Sequence, residues 1–131
     1  KNPNIVVIMC ESFSDISVAN SGIEFKEDIM PNIHSTYKNV VRGNLVTSIF
    51  GGGTANSEFE VLTGITMAGL PTGSVPYSIY VNNPKYSLPS YLSEFGYSTT
   101  AIHPFVSNSW NRPTVYPYLG FDQYLSINDL S

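Results

Sequence analysis

N-I-V-V-I-M-C, residues 4–10, is a continuous β-branched apolar run with no alternation of polar and apolar positions. A strand with one face in water alternates, whereas a strand covered on both faces of a parallel sheet does not. The run therefore predicts the central strand of an α/β fold with a mostly parallel sheet and flanking helices. It stops at Glu11-Ser12-Phe13-Ser14-Asp15, where acids and hydroxyls arrive together. Ligands of open α/β sheets bind at the carboxyl ends of strands, which makes Glu11 the first candidate functional residue.

Outward from that run, Met30-Pro31 opens a helix with proline in its first turn, and Ile33, Tyr37 and Val40 share one face of it. Residues 41–50 carry strand propensity and lead into Gly51-Gly52-Gly53-Thr54, a loop that must turn tightly or admit a ligand to the backbone. A helix is expected over 55–63, stopped by Gly64. Residues 70–89, broken by Pro71, Gly73, Pro76, Pro84 and Pro89, read as an irregular excursion over the surface and a candidate substrate-facing loop. A short helix over 87–95 ends at Gly96, and residues 97–103 form a second strand with His103 at its carboxyl end. Trp110-Asn111-Arg112-Pro113 starts another helical turn, and Phe121 opens a further strand. No repeat, heptad or linker divides the chain.

Composition narrows the function. The chain has 131 residues, 42% hydrophobic and 12% charged, enough for a real core, with a formal charge of −4 and no cluster of Lys or Arg that could follow a phosphate backbone. Nucleic acid is not an expected partner. The longest apolar run, residues 5–10, is far short of the ~20 residues a bilayer span needs. A single cysteine excludes an internal disulfide and a thiolate zinc site, so any metal must be held by oxygen or imidazole. The opening Lys1-Asn2-Pro3, with no initiator Met, is read as the start of a piece of a longer protein. Abundant uncharged polar residues around nine Tyr and seven Phe favour an extracytoplasmic surface.

Strand-to-helix connections place Glu11, Thr54 and His103 on one edge of the expected sheet. An acid, a hydroxyl and an imidazole together point to metal-assisted group transfer, because a carboxylate-held cation lowers the pKa of a hydroxyl that it touches. Glycines before a helix let a phosphate reach exposed N–H groups. Each residue also has a plainer reading: Glu11 as the cap of a strand end, Thr54 as a helix N-cap, His103 as a satisfied strand-end histidine. Likewise Trp110 reads as core, Arg112 as a surface cation, Glu58 as a helix-surface or structural hydrogen-bonding residue, and Cys10 as a small buried hydrophobe. His34, on the covering helix, receives no role. There is no G-x-x-x-x-G-K-[ST], no G-x-G-x-x-G between strand and helix, and no G-x-S-x-G.

Four segments in this order resemble the lipoteichoic acid synthase and phosphoglycerol transferase branch of the alkaline phosphatase and sulfatase superfamily. They are I-V-V-I-M-C-E-S-F at 5–13, M-P-N-I at 30–33, G-G-G-T-A-N-S-E-F at 51–59, and G-Y-S-T-T-A-I-H with S-W-N-R at 96–103 and 109–112; Y-L-G-F-D-Q-Y at 118–124 also fits. The resemblance implies that residues 1–131 are the N-terminal portion of a catalytic domain displayed outside the cell membrane by a membrane-anchored protein. It further implies a manganese or magnesium ion, with Glu11 and Thr54 as metal ligands and Thr54 as the residue that becomes phosphoglycerylated. His103, Trp110 and Arg112 would line the pocket for glycerol phosphate. The implied partners are the head group of an anionic phospholipid, such as phosphatidylglycerol, and a glycan or polymer acceptor.

Two departures stand against that pattern. An acidic residue commonly follows two positions after the pocket histidine, where this chain has Phe105. The family's downstream Asp-His pair, which completes the metal site, is not in this sequence, so the segment alone is expected to hold manganese weakly, to expose apolar surface and to self-associate. True sulfatases need a Cys or Ser in a C/S-x-P-x-R context, which neither Cys10 nor Thr54 has. A phosphoethanolamine transferase is separated only by the W-N-R segment and the E-S-F spacing. A non-catalytic module that reads glycerophosphate or a glycan is the alternative from a different class.

Overall fold

The structure, a computed structural model, describes residues 2–10, 13–18, 22–35, 37–49 and 51–130. It falls into two units, Lys1–Val46 and Thr47–Ser131.

In Lys1–Val46 the one regular element among the described residues is α1 (Pro31–His34), with Pro31 in its first turn. The expected central strand is not there: residues 4–10 are irregular and exposed, with Val6 at 79%, and Cys10 is an exposed thiol rather than a buried hydrophobe. The strand expected over 41–50 is likewise absent from its described residues, with Val41 at 99%. Both corrections have one physical reason. A strand is completed by a hydrogen-bonded neighbour, and the one ladder among the described residues lies elsewhere. The covering helix predicted through Val40 stops after one turn, because Ser35 is extended (φ −63°, ψ 144°) and Asn39 is left-handed at φ 63°. What ties this unit together is polar. His34 Nε2 lies 2.6 Å from Asp15 Oδ2 and Nδ1 lies 2.7 Å from Asp28 Oδ1. Ionised carboxylates only accept, so holding both requires the imidazolium, with both nitrogens donating.

Thr47–Ser131 is built differently. Its elements are α2 (Thr54–Thr63), α3 (Pro76–Ile79), α4 (Leu88–Glu94), β1 (Thr100–His103), α5 (Arg112–Tyr118) and β2 (Gln123–Ser126). The helix expected over 55–63 forms, ended by Gly64 in the left-handed conformation that L residues avoid. The strands pair in parallel, Thr100 opposite Gln123 through His103 opposite Ser126, with α5 as the crossover. This is the parallel α/β arrangement anticipated from the sequence, in a two-stranded sheet. At its entry edge Asp122 Oδ2 accepts from Thr99 N at 2.7 Å, and Thr99 Oγ1 donates to Gly120 O at 3.0 Å.

The core consists of Ala55, Phe59, Met67, Tyr77, Val81, Val115, Tyr116 and Leu119. Phe59, Tyr77 and Tyr116 meet edge to face in sequence, at centroid separations of 6.5 and 6.4 Å; such pairs add about 0.5–1.5 kcal/mol each beyond the area they bury. Two core residues, Tyr77 and Val81, lie in the segment read as a surface excursion, which is a further correction. Pro76 presets φ at the start of α3, and that single turn drives Tyr77 inward. Helix α4 begins with a reciprocal Ser87–Ser90 cap and docks through Ser87 Oγ, which donates to Leu119 O. The approach is close. A Cβ at Gly120 would stand 2.9 Å from Ser90 Cβ and 3.0 Å from its Cα.

Candidate functional site

Thr54 is the first residue of α2, and Gly53, not Thr54, occupies the N-cap position with φ 91° and ψ 41°. The reading of Thr54 as a cap is therefore set aside. Gly51 and Gly52 precede it at φ 74° and 113°, so three successive residues occupy backbone conformations that L side chains rarely adopt. Gly53, as the N-cap residue, brings no side chain to this end of α2. Its first N–H groups and the positive end of the helix dipole are thus the local features an anionic group would meet beside the Thr54 hydroxyl. Asn56, buried in the first turn, donates from Nδ2 to Ser74 O at 2.9 Å, while its buried Oδ1 has no hydrogen-bond donor among the described residues.

Glu58 follows Thr54 by one helical turn and gathers three partners. Its Oε2 accepts from Arg112 Nη2 at 2.8 Å, and its Oε1 accepts from the hydroxyls of Tyr116 at 2.6 Å and Tyr77 at 2.8 Å. Arg112 also donates from Nε to Tyr116 Oη at 2.9 Å and from Nη1 to Ser109 O at 3.3 Å. Arg112 is 1% exposed, so it is not the surface cation of the plainer reading. Burial works against its charge, but the hydrogen bond and the charge of Glu58 outweigh that, and the guanidinium is held above its already high ordinary value. Burial first, then the charge of Glu58, push the phenols of Tyr77 and Tyr116 far above the usual tyrosine range, so both hydroxyls remain donors.

His103 ends β1 opposite the buried Ser126, as the sequence placed it. Its ring meets Phe105 edge to face at 6.3 Å, so the position where an acid would stand presents an apolar ring instead. The loop beyond is pinned by Ile127 N donating to Phe105 O at 3.2 Å and by Tyr124 Oη donating to Ser107 O at 3.2 Å. It delivers Trp110 and Asn111, both left-handed at φ 56° and 58°. A bulky non-glycine residue held there is strained, and such strain gathers at functional sites. Trp110 is 41% exposed and so is not a core residue.

The structure thus ties Arg112 to α2 through Glu58, one helical turn beyond Thr54, and sets His103 and Trp110 at the two ends of one anchored loop. Glu11 lies outside the described residues. Among the described residues no group of three or more His, Cys, Asp and Glu could hold a metal ion. Thr54 suits a hard cation in kind, as an oxygen donor, but falls short in number. Sequence reasoning missed the tyrosines around Glu58, 19 and 58 residues from it, and the His34 cluster, whose carboxylates lie 19 and 6 residues from the imidazole, in ways no local pattern encodes. Only the four-residue spacing of Thr54 and Glu58 could have flagged the shared flank.

Comparison with known proteins identifies the family. The Sulfatase family model matches residues 3–131. A putative cyclic beta-1,2-glucan modification protein of Rhizobium meliloti is 43% identical over 98% of this chain and 19% of its own length. Lipoteichoic acid synthase of Staphylococcus saprophyticus is 32% identical over 95% of this chain and 19% of its own. The chain therefore spans about a fifth of the curated relatives it matches. The crystal structure of the lipoteichoic acid synthase LtaP from Listeria monocytogenes superposes with a TM-score of 0.57 at 24% identity, over 65% of this chain and 20% of that one, a likeness of fold.

Proposed function

The chain belongs to the Sulfatase family, and on that premise we propose that it is the N-terminal portion of the catalytic domain of a phosphoglycerol transferase. The observation that carries this reading is the position of Thr54, a hydroxyl at the first residue of a ten-residue helix behind three positive-φ glycines. The 32% identity to a lipoteichoic acid synthase supports the chemistry, and the 43% identity to a putative glucan modification protein favours a glycan as acceptor.

In the proposed reaction Thr54 Oγ1 attacks the phosphorus of the head group of an anionic lipid such as phosphatidylglycerol. The bond from phosphorus to the diacylglycerol oxygen breaks, and that oxygen takes up the proton lost by Thr54. A hydroxyl of the glycan or polymer then attacks the phosphothreonine, its proton returns to Oγ1, and the phosphoglycerol unit leaves on the acceptor. His103, Trp110 and Arg112 bind the glycerol phosphate, Arg112 through a planar fork suited to phosphate oxygens. Glu11 and Thr54 are this chain's proposed ligands to a manganese or magnesium ion, whose charge, when bound, lowers the pKa of the hydroxyl. The full protein is proposed to be anchored in the cell membrane with this domain facing outward; no helix among the described residues is long and apolar enough to cross a membrane.

The test is Thr54→Ala in the longer protein, assayed with labelled phosphatidylglycerol. Transfer should fall about a thousandfold or more, as when other covalent nucleophiles are removed. The fold should persist, because the N-cap position of α2 is held by Gly53 and the substitution removes only a hydroxyl. Near-wild-type transfer by the variant would overturn the nucleophile assignment, whereas no transfer by the wild type would favour the binding-module alternative.

A further inference from the structure

We infer that Glu58 is the positioning residue of this site, holding the Arg112 guanidinium on the flank of α2 that begins at Thr54; the inference rests on the proposed phosphoglycerol transfer. Residues four apart on a helix are neighbours on one face, with Cβ atoms about 5–6 Å apart. Every Cα–Cβ bond of a helix also tilts toward its N-terminus. The Glu58 carboxylate therefore leans toward the turn that starts at Thr54, and Arg112 Nη2, 2.8 Å from Oε2, is drawn with it. Tyr77 and Tyr116 fix the carboxylate from the other side, both donating to Oε1. Arg112 is fixed in turn: of its five N–H groups, one is committed to Glu58, one to Tyr116 and one to Ser109 O. A guanidinium so constrained cannot search, and a phosphate oxygen meets donors whose directions are already set.

Charge and position predict opposite results when Glu58 is made neutral. If Glu58 merely offset the charge of Arg112, Glu58→Gln would leave a more cationic pocket and tighten phosphate binding. As a positioning residue its loss loosens the fork and weakens binding, although the arginine itself is unchanged. The experiment is calorimetric titration of glycerol phosphate into the longer protein, comparing wild type with Glu58→Gln, Arg112→Lys and the double variant, with thermal melting to confirm folding. Glu58→Gln is expected to raise Kd about tenfold, and the double variant to bind no worse than Arg112→Lys alone, as coupled residues do. Should Glu58→Gln fail to fold, Glu58→Asp, which keeps the charge and shortens the reach, is expected to weaken binding by a smaller factor that Arg112→Lys again masks. Unchanged or tighter binding by the Glu58 variant, or simple multiplication of the two effects, overturns the positioning role alone. Failure of the wild type to bind glycerol phosphate overturns the transferase reading and this inference with it.

Discussion

Lys1–Val46 has the longest apolar run of the sequence, yet among the described residues every member of the buried hydrophobic core lies in Thr47–Ser131. Residues 4–10 have at least the strand propensity of β1, T-A-I-H, and do not form a strand. The difference is the neighbour. β1 has β2 in parallel register, delivered by a helix that itself packs Val115, Tyr116 and Leu119 inward. Propensity is a property of a segment, whereas a ladder belongs to two of them. The first unit instead gathers around ions, a His34 imidazole between two carboxylates.

That contrast can be broken by substitution. Leu119 is 0% exposed, and Leu119→Ala should cost about 2–5 kcal/mol. Val41→Ala, on a side chain with almost nothing around it, should stay within about 0.5 kcal/mol of wild type. Urea unfolding of the two variants measures both; equal losses would mean that the two units do not differ in packing. Next in size is Gly120→Ala, which imposes a positive φ of 83° on an L residue and pushes its methyl against the Ser90 backbone. A cost of about 1–3 kcal/mol is expected. Wild-type stability would show that α4 is not seated on that turn.

The smallest effect belongs to the first unit and depends on pH. Hydrogen bonds to Asp15 and then Asp28 raise the His34 pKa above 6.5, and His34, then Ser17, lower Asp15 from 3.8 to about 2. A raised histidine contributes fully below 6.5 and loses that contribution as pH rises through its folded value; a lowered aspartate contributes above 3.8 and loses it as pH falls toward about 2. The cluster is therefore strongest between those limits. In an NMR titration His34 should titrate with a midpoint above pH 6.5, with the resonances of Asp15 and Asp28 shifting alongside it. A His34 midpoint at or below 6.5 would show that the bridge does not form.

Legibility from sequence followed the range of the interaction. Helix α2 with its Gly64 stop, α4 with Gly96 just beyond its end, and His103 at a strand end all rest on contacts within a few residues, and all were readable. The parallel pairing was readable as a class, because alternation of strand and helix implies it. Tyr77 at the centre of the core was hidden, since proline and glycine punctuation around it signals a turn but not which way the turn's side chain points. Arg112 was placed by its motif, while its burial depends on a carboxylate 54 residues earlier. Long-range pairing of that kind leaves no local trace.

The glycines before Thr54 restrict variation in an unusual way. A Cβ on Gly51 or Gly52 would meet nothing within 4 Å, so there is room for a side chain at either position. What excludes one is handedness: the backbone there runs in a sense natural to the mirror-image amino acids. Size is therefore free to drift while chirality is not. Asparagine, the L residue that visits this region most readily, is a tolerable replacement only at Gly51, whose φ of 74° is near the left-handed well, and Gly52 at 113° admits no coded side chain without strain.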